Sequence, residues 1–230
     1  MKMIHNGIEY GDMQLIAEAY WVMKNLIDLN NEEMADVFAR WNEGKLRSYL
    51  IEITANILRH KDKTGGYLID KILDAAGQKG TGKWSVINAM ELGMPLGLIA
   101  TAVFERSLSA QKDLRRLASK QFQCQHTQPI YNKAELVKNI FSALYASKLV
   151  SYAQGFACCN VLPMLSTGIL IWPPLLVCGV ADVSFVVYSS TILLPLSKHP
   201  INLSTCCWLL ISGKKSRRCF PVGRVSLQKR

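Results

Sequence analysis

The 230-residue sequence lacks the patterns that mark several protein classes. It has no Cys-x-x-Cys pair and no cysteine–histidine cluster with zinc spacing, so no metal site is indicated. Residues 1–156 show no run of strand-type alternation, which argues against a sheet. Residues 1–20 are polar and carry both charge signs, which is not the pattern of a secretory leader. Acidic residues are in deficit, 17 against 27 Lys and Arg, for a net charge of +10. The deficit is local: after residue 150 the only acid is Asp182, and the basic surplus gathers from Lys214 onward. A surplus confined to one end is not evidence that the main domain binds nucleic acid. The cysteines are equally lopsided, because Cys124 is the only one before Cys158. The first part therefore reads as a reduced, cytoplasmic protein.

What is present is helical periodicity. Residues 2–12 read as helix, and residues 8–29 as a long amphipathic helix with Leu15, Ile16, Ala19, Val22, Met23, Leu26 and Ile27 at helical spacing. Asn30 and Asn31 stop it and cap a second helix that runs to about Trp41. Further helices are expected at about 45–60, 67–75, 84–92, 95–120 and 133–156. Turns fall at 63–66 and 77–82, and a polar loop at 121–132. Short connections between amphipathic helices predict an all-α packing of antiparallel neighbours.

The most informative stretch is KMIHNGIEYGDMQL at residues 2–15. Lys2, His5, Asn6 and Glu9 are spaced i, i+3, i+4 and i+7, so a helix gathers an amine, an imidazole, an amide and a carboxylate on one face. Tyr10 joins the edge of that set. An exposed polar stripe would use the same spacing, so the pattern alone leaves both readings open. The stretch resembles the helix that opens the all-helical domain of 6-phosphogluconate dehydrogenases. LIEITANIL at 50–58, AGQKGTGKW at 76–84 and ALYASKLVSYAQGF at 143–156 resemble the same family. The resemblance covers about residues 2–156 and implies a partial, truncated helical domain of that type. Residues 157–230 are then a divergent apolar and basic tail, not native to the fold.

The resemblance implies oxidative decarboxylation of 6-phosphogluconate to ribulose 5-phosphate with NADP, a pentose phosphate pathway reaction, in a homodimer without metal. Under it, Lys2 is the candidate base for the carbon-3 hydroxyl and Glu9 the candidate acid for carbon 1. His5 and Asn6 orient substrate oxygens between them. Tyr10, Lys79 and Arg106 fall where the family holds the substrate phosphate, a task suited to the planar fork of arginine. NADP is bound in the family by a separate domain with no counterpart here, so no cofactor-binding residue is assigned. The chain is expected not to turn over alone.

Other features of the sequence carry less. Gly77 to Lys83 has the frame of a P-loop, but Trp84 stands where a magnesium-binding Ser or Thr is needed and no strand precedes it. Gly80 and Gly82 half-match a dinucleotide fingerprint without its third glycine. His60 and His126 read as surface residues. Two alternatives belong to other classes. One is a non-catalytic helical module that pairs with a full-length subunit. The other is a membrane tether through residues 157–197, where residues 149–181 hold no charged side chain. Pro163, Pro173 and Pro174 make the tether the weaker of the two.

Overall fold

A computed structural model describes residues 2–122 and 132–165, with side chains to residue 159. Seven α-helices and one 3₁₀ turn make up the described residues: α1 (Lys2–Asn25), α2 (Asn31–Asn42), α3 (Tyr49–Arg59), α4 (Thr81–Glu91), α5 (Gly97–Ala110), α6 (Lys112–Gln121) and α7 (Lys133–Leu165). The 3₁₀ turn, Leu68–Lys71, lies between α3 and α4. No strand occurs among them beyond an isolated bridge between Lys61 and Tyr67. The all-α class is as the sequence predicts. The apolar run expected as a tether falls largely at 166–197, outside the described residues. No helix among the described residues is long and apolar enough to cross a membrane.

The helix boundaries follow local chemistry. Asn30 Oδ1 accepts from the Glu33 amide at 2.9 Å while Glu33 Oε2 accepts from the Asn30 amide at 2.8 Å. This reciprocal pair starts α2 where the sequence places its cap. Ser48 caps α3, so that helix begins at Tyr49 rather than near residue 45. The helix expected over 95–120 is two helices instead. The backbone leaves α-geometry at Gln111. Arg115 bends back to donate to Ser109 O at 3.0 Å and Asp74 O at 2.6 Å, satisfying a carbonyl that α5 leaves open at its end. The helix expected over 67–75 shrinks to the 3₁₀ turn. Its apolar residues Ile72 and Leu73 are 57% and 68% exposed, so no core face supports a longer helix.

Two apolar clusters form the core, and α1 runs through both. Its N-terminal half contributes Ile4, Ile8 and Tyr10 to a cluster with Val86 and Ala89 of α4, Ile99 and Val103 of α5, and Tyr152 and Phe156 of α7. Its C-terminal half contributes Ile16, Ala19 and Met23 to a second cluster with Met34 and Phe38 of α2, and Ile51 and Leu58 of α3. Leu144 of α7 closes that second cluster. Helix α7 therefore lies antiparallel along α1 and seals both halves.

The α1–α7 seam is close because glycine lines it. A Cβ on Gly11 would lie 2.6 Å from Ser151 Oγ, and one on Gly155 would collide with Ile8. Beside this seam lies a fully buried polar group. Lys148 Nζ meets Asp12 Oδ2 at 2.5 Å, and Tyr152 Oη donates to the same oxygen at 3.1 Å. Burial, then the charge of Asp12 and its hydrogen bond, hold the Tyr152 hydroxyl well above the ordinary 10.0. A folded-state pKa above the unfolded value gives stability that is complete below about pH 10 and is lost as pH rises beyond it. Tyr152→Phe is expected to cost about 1–3 kcal/mol at pH 8. The gap between wild type and variant should narrow toward pH 11, as read by urea unfolding at both values. A gap independent of pH would contradict the assignment.

Candidate functional site

The N-terminal half of α1 is graded from solvent to core. Lys2 is exposed, Asn6 and Glu9 are half-buried, and His5 and Tyr10 are buried. The 1.5 Å rise of the helix puts Lys2 and Glu9 about 10 Å apart along its axis, with His5 and Asn6 between them. His5 Nδ1 lies 3.2 Å from Asn6 Oδ1. An amide oxygen only accepts, so the proton of that bond sits on Nδ1. The imidazole is thereby oriented by its own neighbour in sequence.

Helix α4 approaches this half of α1 closely. Ser85 Oγ donates to the Met3 carbonyl at 2.6 Å, and a Cβ on Gly7 would lie 2.7 Å from that hydroxyl. Gly82 lies against the Tyr10 ring, where an added Cβ would come within 2.6–2.9 Å of three ring atoms. The ring also carries Arg106 of α5, whose guanidinium carbon is 4.1 Å from the ring centroid. Tyr10 thus contacts both a glycine and a cation. Stacking of this kind fixes a guanidinium plane while leaving N–H groups to donate.

Arg106 is also tied to the segment before α4. It donates to Gly77 O at 3.4 Å, and its second amino group faces Met13 Sδ at 3.6 Å. The same segment runs along α5, with the Ala76 amide donating to Ser109 Oγ at 3.1 Å and Gln78 to Ser107 Oγ at 3.0 Å. Exposed Lys79 follows directly. Gly80, at φ 92°, turns the chain into α4. No side chain caps that helix, so its first amides keep their donors free. Arg106 thus lies on the Tyr10 ring, which the start of α4 abuts at Gly82, and Lys79 stands one residue before Gly80, which leads into that start. This is a corner suited to an anion.

Of the residues singled out from the sequence, the structure joins Tyr10 to Arg106 and His5 to Asn6 directly. It places Lys79 on the segment that links Gly77 to Gly82. Lys2 and Glu9 share the helix without touching. Sequence reasoning missed the residues that hold the others. Met13 and Gly77 fix Arg106, Gly82 receives Tyr10, and Asp12 with Lys148 and Tyr152 pins α1 to α7. One signal for the last group is in the sequence: Lys148 and Tyr152, spaced i and i+4, stand at the edge of an otherwise uncharged run. Among the described residues no group of three His, Cys, Asp or Glu is placed to hold a metal.

Fold and site together define an all-helical domain with a polar first helix and a basic corner beside it. Residues 1–163 match the family model described as 6-phosphogluconate dehydrogenase, C-terminal domain, and the chain belongs to that family. It is similar to decarboxylating 6-phosphogluconate dehydrogenases of Caenorhabditis elegans, at 55% identity over 159 residues, and of Escherichia coli K12, at 54% over 157. Each match covers 68% of this chain but only 33% and 34% of the relative, so the chain spans about a third of their length. Among solved structures it resembles Plasmodium falciparum 6-phosphogluconate dehydrogenase, with a TM-score of 0.74 and 39% identity. That likeness covers 83% of this chain and 42% of the Plasmodium chain. The Plasmodium enzyme was determined in apo form, with its cofactor NADP+ and with its substrate 6-phosphogluconate.

The Tyr10–Gly82 contact gives a direct check on the corner. Gly82→Ala gains about 1 kcal/mol of helix propensity but must displace a rigid ring, which costs about 1–3 kcal/mol. Net destabilisation is expected in urea unfolding. A stabilised Gly82→Ala variant would show that the ring is free to move.

Proposed function

We propose that this domain binds 6-phosphogluconate and supplies the proton-transfer groups for its oxidative decarboxylation to ribulose 5-phosphate, in the cytoplasm. The observation that carries this reading is the Tyr10–Arg106 stack at the uncapped start of α4, which Lys79 precedes. A phosphate there meets a bidentate guanidinium, an ammonium, a phenol and free amides. The rest of the sugar acid then lies along α1 toward Lys2.

In that pose His5 and Asn6 bond the hydroxyls in the middle of the substrate and fix its rotation. Lys2, as the free amine, takes the proton of the carbon-3 hydroxyl as the hydride of carbon 3 would pass to NADP, leaving the 3-keto acid that loses carbon dioxide. As the ammonium it then stabilises the enolate left when carbon dioxide departs. Glu9, in its acid form, protonates carbon 1. The described residues contain no strand–turn–helix unit to cradle a dinucleotide. The oxidation is therefore not assigned to any of these residues. We place the limit of this domain near residue 156, with the family match and α7 running a few residues past it, to 163 and 165.

A second reading is favoured by one feature. Phe104 and Leu108 on α5, with Leu114 and Leu117 on α6 and Phe122 just after it, are 45–76% exposed. Apolar side chains collected on adjoining elements suit pairing with a second copy, so a homodimer is compatible with substrate binding.

Titration calorimetry of the chain with 6-phosphogluconate, gluconate and inorganic phosphate tests the first reading. Binding of 6-phosphogluconate is expected to exceed that of gluconate. Arg106→Ala is expected to weaken it about 10- to 100-fold, the loss of one charge-assisted contact of about 1.5–3 kcal/mol. Equal affinity for gluconate, or no effect of Arg106→Ala, would refute the phosphate corner.

A further inference from the structure

The buried group between α1 and α7 serves no step of the chemistry above, yet it is among the most enclosed polar features of the fold. Asp12, Lys148 and Tyr152 are 1%, 5% and 1% exposed. Asp12 stands three residues after Glu9 and seven after His5, so it continues their side of α1 to the edge that meets α7. Lys148 and Tyr152 are one turn apart on α7, so both reach one carboxylate oxygen. Such a pair is a poor source of stability. Removing both charges from water costs several kcal/mol, and an apolar pair of the same volume often serves as well.

What an ion pair offers and an apolar pair does not is direction. The surrounding seam is close, with Gly11 against Ser151 and Gly155 against Ile8, and these steric contacts carry no charged or directional bond. A slip of one residue along α7 would move α1 by about 1.5 Å and turn its side chains by about 100°. Lys2, Asn6 and Glu9 would then face away from the Arg106 corner. A displacement near 1 Å at reacting groups can cost about 100-fold in rate.

We propose that Asp12, through Lys148 and Tyr152, is a positioning residue that sets the rotation and axial register of α1 for the substrate face. The proposal rests on the reading of that face as a 6-phosphogluconate site. It concerns placement only: the printed bonds of Asp12 run to Lys148 and Tyr152 of α7.

The test uses the full chain and three variants. Asp12→Asn removes the charge from one partner. Asp12→Leu with Lys148→Met replaces the pair by apolar groups that can pack, so that folding is kept. Leu58→Ala, in the other cluster, supplies destabilisation without touching the seam. Calorimetry with 6-phosphogluconate is expected to show at least tenfold weaker binding for both Asp12 variants and a change within twofold for Leu58→Ala. Amide hydrogen exchange at residues 4–10 is expected to quicken in the double variant even when its thermal midpoint matches wild type. A double variant that binds as wild type does, with unchanged exchange, would overturn the proposal. If wild type itself fails to bind, the substrate reading falls. The exchange of residues 4–10 then decides the register claim by itself: faster exchange in the double variant upholds it and unchanged exchange overturns it.

Discussion

The arrangement depends on how closely α1 is allowed to approach its neighbours. Glycines at 7 and 11 let α4 and α7 come within backbone distance of α1, and Gly155 returns the contact from the other side. Two consequences follow from this single constraint. The apolar residues beside the glycines, Ile4 and Ile8, become fully buried, which anchors the N-terminal half of a long helix that has few partners beyond α4, α5 and α7. The polar residues on the remaining sector are left no direction but toward the open side. A polar face on a helix that could roll would be a solvated stripe. On a helix held along two sides it becomes a fixed surface.

The corner at Tyr10 shows the same economy. The ring stacks under Arg106 because Gly82 leaves room beside it, and Arg106 stays in plane because Gly77 and Met13 occupy two of its donors. None of these contacts is strong by itself. Together they hold a cation beside a helix start that lacks a capping side chain. Such a start leaves amides for an anion to take. Positive charge, free donors and a flat aromatic face then meet at one end of the polar sector.

Much of this was legible before any coordinates. The all-helical class followed from periodicity. The cap at Asn30 followed from an Asn three residues before Glu33. Lys2, His5, Asn6 and Glu9 shared a face by spacing alone. What stayed hidden depends on contacts between distant parts of the chain. No local pattern announces that Arg106 lies on Tyr10, or that Asp12 meets a lysine 136 positions away. The break at Gln111 was equally invisible, because the arginine that stabilises it reaches back to Asp74 across a loop. Propensity carried the reading across residues 95–120 as one helix, and a long-range hydrogen bond divided it. The short turn at Leu68–Lys71 fails the other way. Ile69 rests on the second cluster, but the residues that would lengthen the helix, Ile72 and Leu73, stay exposed.

The central claim is that the phosphate of a sugar acid sits at the meeting of Tyr10, Arg106 and the start of α4, with the carbon chain lying along α1. Backbone NMR of the chain titrated with 6-phosphogluconate tests it most directly. The account predicts the largest shifts at the amides of Lys79, Gly80, Thr81 and Gly82, with smaller ones at His5, Asn6 and Glu9. Shifts concentrated on α2 and α3, with the 79–82 amides unmoved, would contradict it.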